Sequence, residues 1–420
     1  MAAIRNKVSS RLLEFTILGI AICGFTPIFN HSIYLVCIGF LAILQILCYS
    51  NVYGYRCNPR LVLCVYLYLF VCIIYLFLGI SEKSGDFVRH ILFFIPILLM
   101  LLLSDKLNGK QKRWVFKMII IVVMINIVDN IRLCILHPEL NTIVNRGMLA
   151  SKALDGRINI GGSKFYNAIY FFFTVCFFCF LNSRQKVIRH LLMASVVLSL
   201  VFISVFCLKA AVILFSCLSV ILLYFAKKSR SAKKFFVRIA MPAFFALLVV
   251  LLFEDVLIEL ILNTFTSDRL AQRLILLIDS DSEYASAGAS TVNARADLWM
   301  MSINTWLDNP VNFIFGIGDH RANWGAGETA AETGIGQHSD FLDSLARYGL
   351  IGALLLIAIL KLSFTYIKSL FDIKYHLQLL IIFLLFILFG LSKGVFTLEI
   401  GCALFIILPL FASFVDLKEE

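Results

Sequence analysis

HSDFLDSLARYGLIGALLLIAILKLSFTYI, residues 338–367, opens with a histidine and two acids and runs without a break into an apolar stretch. Nineteen residues from position 349 onward are apolar enough to cross a bilayer core, which takes ~20 residues of helix. The same transition recurs along the chain. Of its 420 residues 61% are hydrophobic and only 15% charged, which excludes an ordinary soluble domain. Hydropathy predicts an all-α polytopic membrane protein of twelve spans: 15–29, 33–49, 61–80, 88–103, 115–136, 165–181, 191–207, 210–226, 236–253, 349–367, 377–391 and 395–415.

The formal net charge of +11 need not mean nucleic acid. With Arg5, Lys7 and Arg11 placed in the cytoplasm, every alternate turn is basic. These turns hold Arg56 and Arg60; Lys106, Lys110, Lys112 and Arg113; Arg184, Lys186 and Arg189; Lys227 to Arg238; and Lys368 and Lys374. That is the bias of cytoplasmic loops. It predicts both termini inside, a small outer loop at 137–164 and a large one at 254–348. The first run lacks a small-residue cleavage site and reads as a retained helix. None of the 12 cysteines falls in the large loop, and the Cys176/Cys179 pair inside a span reads as apolar packing.

The large loop is the one long polar segment, and chemistry on a lipid-embedded chain belongs there. Asn293 is placed to cap a helix running to Asp308 and stopped by Pro310, after a flexible linker at 279–290. Arg295, Trp299, Ser302 and Trp306 then share one face. Gly316-Ile-Gly318 reads as a turn, and a second helix begins near Ser339, just after His338.

Arg295 offers a permanently charged fork suited to phosphate oxygens, against the plain alternative of a solvated arginine or a pair with Asp297. His338, beside a helix start, is expected to be neutral and able to accept a proton; many surface histidines do nothing of the kind. Lys209 interrupts an apolar run, where a cation is costly unless satisfied or snorkelling. Arg157 lies in the smaller loop ahead of Gly161, Gly162 and Asn167. Arg132, Arg347 and Lys393 stand at span ends, where anchoring is routine. No cluster has metal-ligand spacing, and no glycine-rich loop ends in Lys-Ser or Lys-Thr. Metal and cofactor are therefore both expected to be none.

Three stretches together resemble the O-antigen polymerase and O-antigen ligase superfamily of bacterial inner-membrane glycosyltransferases. They are Asn293-Ala-Arg295 through Pro310 to Gly316-Ile-Gly318; His338-Ser339 to Tyr348-Gly349-Leu350-Ile351-Gly352; and Arg157 to Asn167-Ala168. Lys209 departs from an arginine often found near the end of a serine-rich span, keeping the charge but not the fork. The resemblance implies a GT-C-like membrane fold. It also implies undecaprenyl-pyrophosphate-linked oligosaccharides as donor and acceptor, with undecaprenyl pyrophosphate as leaving group. His338, as general base or as a pyrophosphate ligand, and Arg295 would be catalytic, and Lys209, Arg157, Arg347 and Arg132 would bind pyrophosphate or substrate. Membrane lipids and a chain-length regulator would be partners, and nucleic acid would not. HSDFLDSLARYGLIG resembles the polymerase versions; a ligase that transfers glycan to lipid A–core and a transporter or flippase of lipid-linked sugars are the alternatives.

The threading is open to a direct check. Single cysteines at Gly325 and Ser231 in a cysteine-free background should react with a membrane-impermeant maleimide from outside and only after permeabilisation, respectively. The reverse pattern would place the polar loop in the wrong compartment.

Overall fold

A computed structural model describes residues 2–25, 58–78, 80–81, 85–138, 163–207, 209–229, 233–240, 286–320 and 330–415. The described residues form helices and no strands. In chain order these are α1 (Ala2–Phe25), α2 (Pro59–Phe77), α3 (Gly85–Lys106), α4 (Gly109–Leu136), α5 (Ser163–Asn182), α6 (Lys186–Val201), α7 (Ala210–Lys228), α8 (Ser286–Leu307), α9 (Pro310–Phe315), α10 (Ala330–Thr333), α11 (Asp340–Ser369), α12 (His376–Ser392), α13 (Leu398–Cys402) and α14 (Leu408–Val415). A π turn, Phe202–Phe206, extends α6, and another, Ala403–Ile407, joins α13 to α14.

Eight described helical segments are long and apolar enough to cross a membrane, and the apolar stretch Val88–Leu103 of α3 is shorter. Ten of the twelve expected spans coincide with described helices; 33–49 lies outside the described residues, as does most of 236–253. The apolar surface follows the lipid logic. Phe70, Ile125, Val197, Ile221, Ile357 and Leu384 point outward from their helices, which water would not tolerate in such numbers. Two segments form the centre: Phe165–Asn182 is 83% buried and Leu398–Val415 89%. Their aromatic rings interlock with α12, as where Tyr170 stacks on Phe389 with centroids 4.9 Å apart. Cys176 and Cys179 are free and buried in this centre, as packing residues are.

The outer-side segments of the threading meet at one end of the bundle. Ser81 accepts the Asp319 amide at 2.9 Å, Tyr75 donates its hydroxyl to the Phe315 carbonyl, and Asn167 donates to the Gly394 carbonyl at 3.2 Å. The basic turns meet at the other. There Asn182 donates to Gln378 at 3.1 Å, Gln378 donates to the Leu223 carbonyl at 3.2 Å, and Gln111 donates to Glu14.

Two expectations for the polar segment need correction. Asn293 is not the helix start: α8 begins at Ser286, so part of the expected linker at 279–290 is helix. The asparagine that does cap is Asn309, whose side chain accepts the Asn312 amide ahead of Pro310. The stretch from Ser286 to Asn293 holds no proline that would stop the helix there, although its residues are mostly modest helix formers. The Gly316-Ile-Gly318 turn and the helix start at Ser339 are both present. Ser339 caps α11 by accepting the Leu342 amide at 3.2 Å.

α11 breaks direction at Gly349, which has φ 59 and ψ -160. Only glycine adopts that conformation at low cost. The break separates the short polar helix from the apolar one. It also lets the Gly316-Ile-Gly318 turn dock: Ile317 and Gly318 donate amides to the Ala346 and Arg347 carbonyls, each at 2.9 Å. A Cβ on Gly349 would collide with the Ile314 carbonyl. Gly349→Ala should therefore destabilise by at least ~1–3 kcal/mol from backbone strain alone. Thermal unfolding in detergent checks this, and a melting temperature equal to wild type would contradict the docking.

Candidate functional site

A cavity of about 310 Å³ opens at the outer-loop end of the bundle. It is lined by Arg89, Asn167, Gln337, His338, Asp340, Asp343, Arg347, Lys393, Gly394 and Thr397. These residues come from α3, α5, the turn before α11, α11 itself and the connection from α12 to α13. The sequence brings them together through helix ends, where unsatisfied backbone groups already favour polar partners.

Asp340 organises the wall. Its carboxylate accepts Arg89 Nη2 at 2.9 and 3.1 Å and the Val395 and Phe396 amides at 2.6 and 2.7 Å. Arg347 is also paired: its Nε lies 3.2 Å from Asp319 Oδ1, and both side chains are almost completely buried. Two of the cavity's cations are thus matched to acids of the chain.

His338 lies at the mouth of α11, half-buried. Burial first, then the neighbouring Lys393 and Arg295 charges, push its pKa below the ordinary imidazole value, while the Gly336 and Gln337 backbones oppose that shift. A neutral ring was the expectation from the helix start; burial and two cations are the larger causes. Its Nδ1 is buried without a partner in hydrogen-bond geometry among the described residues. Backbone crowding fixes the ring's position. Gln337 has φ 58, and Gly336 packs so closely on the Leu298 carbonyl that no side chain fits there.

Arg295 belongs to the same neighbourhood through α8. Its charge reaches both His338 and Lys209. The face expected on α8 is real. Ser302 is fully buried, donates to Asp343 Oδ1 at 2.8 Å and accepts the Gly336 amide at 2.9 Å; Trp306 donates to the Phe313 carbonyl at 2.9 Å. Lys209 follows the π turn at the start of α7, with Nζ 5.5 Å from the Tyr166 ring centroid. Burial, and more weakly Arg295, pull its pKa down, against an opposing effect of Cys207. Lys209 is not a lining residue, but it is part of the same cationic neighbourhood. π turns are frequent at functional sites because they shift a side chain off the helical register.

The other expected residues divide. Arg347 lines the cavity but is bound to Asp319. Arg132 does not line it: 62% exposed, it pairs with Asp129 at 2.9 Å one turn away on α4. Arg157 lies outside the described residues. Sequence reading missed Arg89, Asp340 and Asp343 and ranked Lys393 low. An arginine and a histidine at the head of an apolar run, Arg89-His90, were the available signal.

Helices long and apolar enough to cross a membrane, bundled with a polar cavity at one end, mark a multi-pass membrane protein. Residues 209–357 match the family model described as O-antigen ligase. The matched stretch belongs to the O-antigen polymerase and ligase superfamily, as the sequence motifs indicated. It includes Lys209, Arg295, His338 and Arg347, whereas Arg89, Asn167 and Lys393 lie outside it. A search of curated proteins finds no significant match.

The asymmetry of the Arg89–Asp340 pair gives a test. Asp340→Ala leaves a mostly buried arginine and two amides without their acceptor, and removing one partner of such a pair costs ~3–5 kcal/mol. Arg89→Ala leaves Asp340 still held by two amides and should cost clearly less. Equal losses of melting temperature for the two variants would refute this reading.

Proposed function

We propose that the protein is an O-antigen polymerase of the bacterial inner membrane, with twelve spans, cytoplasmic termini and the cavity end facing the periplasm. It would join undecaprenyl-pyrophosphate-linked repeat units. The observation that carries this reading is a cavity lined by His338 and Lys393 at the end of the bundle opposite the basic turns, with Arg295 near enough for its charge to act on both His338 and Lys209. The family match over residues 209–357 suggests the substrate class.

In this reading a hydroxyl of one glycan attacks the anomeric carbon of another, and undecaprenyl pyrophosphate leaves. Negative charge grows on the pyrophosphate as the bond breaks. Preorganised cations stabilise that charge more in a water-poor cavity than they would in water. Arg295 supplies a fork, and Lys209 and Lys393 supply point charges. His338, near enough to feel both the Lys393 and the Arg295 charge, joins them on the pyrophosphate side as a neutral hydrogen-bonding ring. A chain-length regulator would act on the product, and no metal is required where side-chain cations neutralise the leaving group.

The ligase is the second reading, favoured by the description of the matching family model. Purified protein in nanodiscs, given lipid-linked repeats with and without lipid A–core, separates the readings: lengthened lipid-linked chains mark a polymerase, core-linked glycan a ligase, and movement without covalent change a flippase.

Arg295→Ala should lower chain extension about 100- to 1,000-fold, the usual effect of removing one such charge-stabilising contact. Arg295→Lys should recover only part of it. His338→Ala should weaken binding of the lipid-linked donor together with turnover. Wild-type extension by both alanine variants would remove them from the site.

A further inference from the structure

With His338 assigned to the leaving group, the polymerase reading still needs an acceptor for the proton of the attacking hydroxyl. We propose that Asp343 is that group: it takes the hydrogen bond of the acceptor-sugar hydroxyl and then its proton. The inference rests on the glycosyl-transfer reading and adds a catalytic residue to it.

Two carboxylates line the cavity, and their surroundings differ. Asp340 is engaged by a guanidinium and two backbone amides. It is a scaffold, with little acceptor capacity to offer. Asp343 sits one helical turn further along α11, 3% exposed, on the cavity wall. The Ser302 hydroxyl donates to its Oδ1 at 2.8 Å, and the Ser339 backbone lies alongside. No salt bridge joins Asp343 to a cation among the described residues; Arg347, one turn on, is bound to Asp319, and Arg89 to Asp340. An ionised carboxylate has about four lone-pair sites. Ser302 and Ser339 leave acceptor capacity on Oδ2 for a ligand in the cavity.

The position also fits the chemistry. Ser302 couples three elements: it holds Asp343 and accepts the Gly336 amide, two residues before His338. The carboxylate is thereby fixed relative to the His338 turn. The charges around Asp343 are Arg347 and Asp340 on its own helix and Arg89, Lys393 and His338 across the cavity. The hydroxyl and the pyrophosphate therefore meet opposite kinds of group in one space.

The step balances. The acceptor oxygen forms a bond to the anomeric carbon as its proton passes to Asp343 Oδ2. The bond from the anomeric carbon to the pyrophosphate oxygen breaks, and its electron pair leaves on undecaprenyl pyrophosphate. The protonated Asp343 then returns the proton to water.

Asp343→Asn is the decisive variant, because the amide oxygen can still accept from Ser302 while the NH2 group replaces an acceptor with a donor. Wild type and variant in nanodiscs are compared with lipid-linked repeats extracted from cells lacking this protein. Donor binding should stay within about 3-fold, while extension falls about 100- to 10,000-fold, the range for general-base help. Extension within 3-fold of wild type, or loss of donor binding in step with turnover, overturns the assignment but leaves the glycosyl-transfer reading in place. Absence of any transfer by wild type overturns both. A second measurement needs no variant: carbodiimide labelling of Asp343 in the wild type, read by peptide mass spectrometry. Lipid-linked glycan should slow the labelling and undecaprenyl pyrophosphate alone should not; equal labelling with the two overturns the proposal.

Discussion

One carboxylate holds the cavity end of this bundle together. Asp340 accepts from Arg89 on α3 and from the two amides that open the last helical segment, and it stands itself on the first turn of α11. Three elements far apart in sequence are thus tied to one side chain. A buried ion pair is weak evidence of net stability, since desolvation of both charges offsets their attraction. Its value here lies in selection. Packing of Leu, Ile and Phe against one another would allow α3, α11 and α12 to slide, because one apolar contact replaces another at little cost. A carboxylate with fixed donors admits one register. The Lys393-Gly394 turn is held as a consequence, directly ahead of the two bonded amides.

The second constraint is geometric and comes from glycine. The kink at Gly349 and the turn at Gly316-Ile-Gly318 fit into each other, with backbone amides of the turn bonded to the carbonyls that the kink exposes. The buried Arg347–Asp319 pair closes the same joint from the side-chain direction. The polar helix that carries Asp340 and Asp343 is therefore set by backbone contact on one side and by charge on the other. His338, immediately before it, inherits a fixed position without being a structural residue itself.

Much of this was legible in the sequence because it is local. Alternating basic turns and apolar runs describe the helices, and the basic turns meet at one end of the bundle while the segments between them meet at the other. The Arg295–Ser302–Trp306 face follows from helical period, and the Ser339 cap from residue type. The start of α8 was misplaced because an asparagine with the right neighbours was taken as a cap when the helix ran through it. The lesson of Asn309 is that a cap followed at once by proline is the stronger signal. What could not be read was pairing across the chain. Arg89 and Asp340 are 251 positions apart, and nothing in either local sequence names the other. Arg132 and Arg347 illustrate the same limit from the opposite side. Both are arginines at span ends, yet one pairs with its own helix in an exposed position and the other is buried against a turn.

That pairing decides what the cavity can do. Counting charges on its wall would suggest a strongly cationic anion trap. Matching each charge to its partner changes the picture: Arg89 and Arg347 neutralise Asp340 and Asp319, so their role is to shape the wall. Lys393 on the wall and the nearby Arg295 and Lys209 add cationic character beside His338, whose ring burial keeps neutral, and a carboxylate stands against them in Asp343. A cavity with cations alone would bind a pyrophosphate and hold it. Transfer of a glycan also requires that a hydroxyl be oriented and lose a proton, which favours an acceptor of opposite charge within the same space. The cation that stabilises the leaving group and the carboxylate that receives the proton must then stay apart, since a direct ion pair would quench both. Ser302 does this work on the acid side: its hydroxyl bond to Asp343 and its acceptance of the Gly336 amide anchor the carboxylate to α8 rather than to the cations across the cavity.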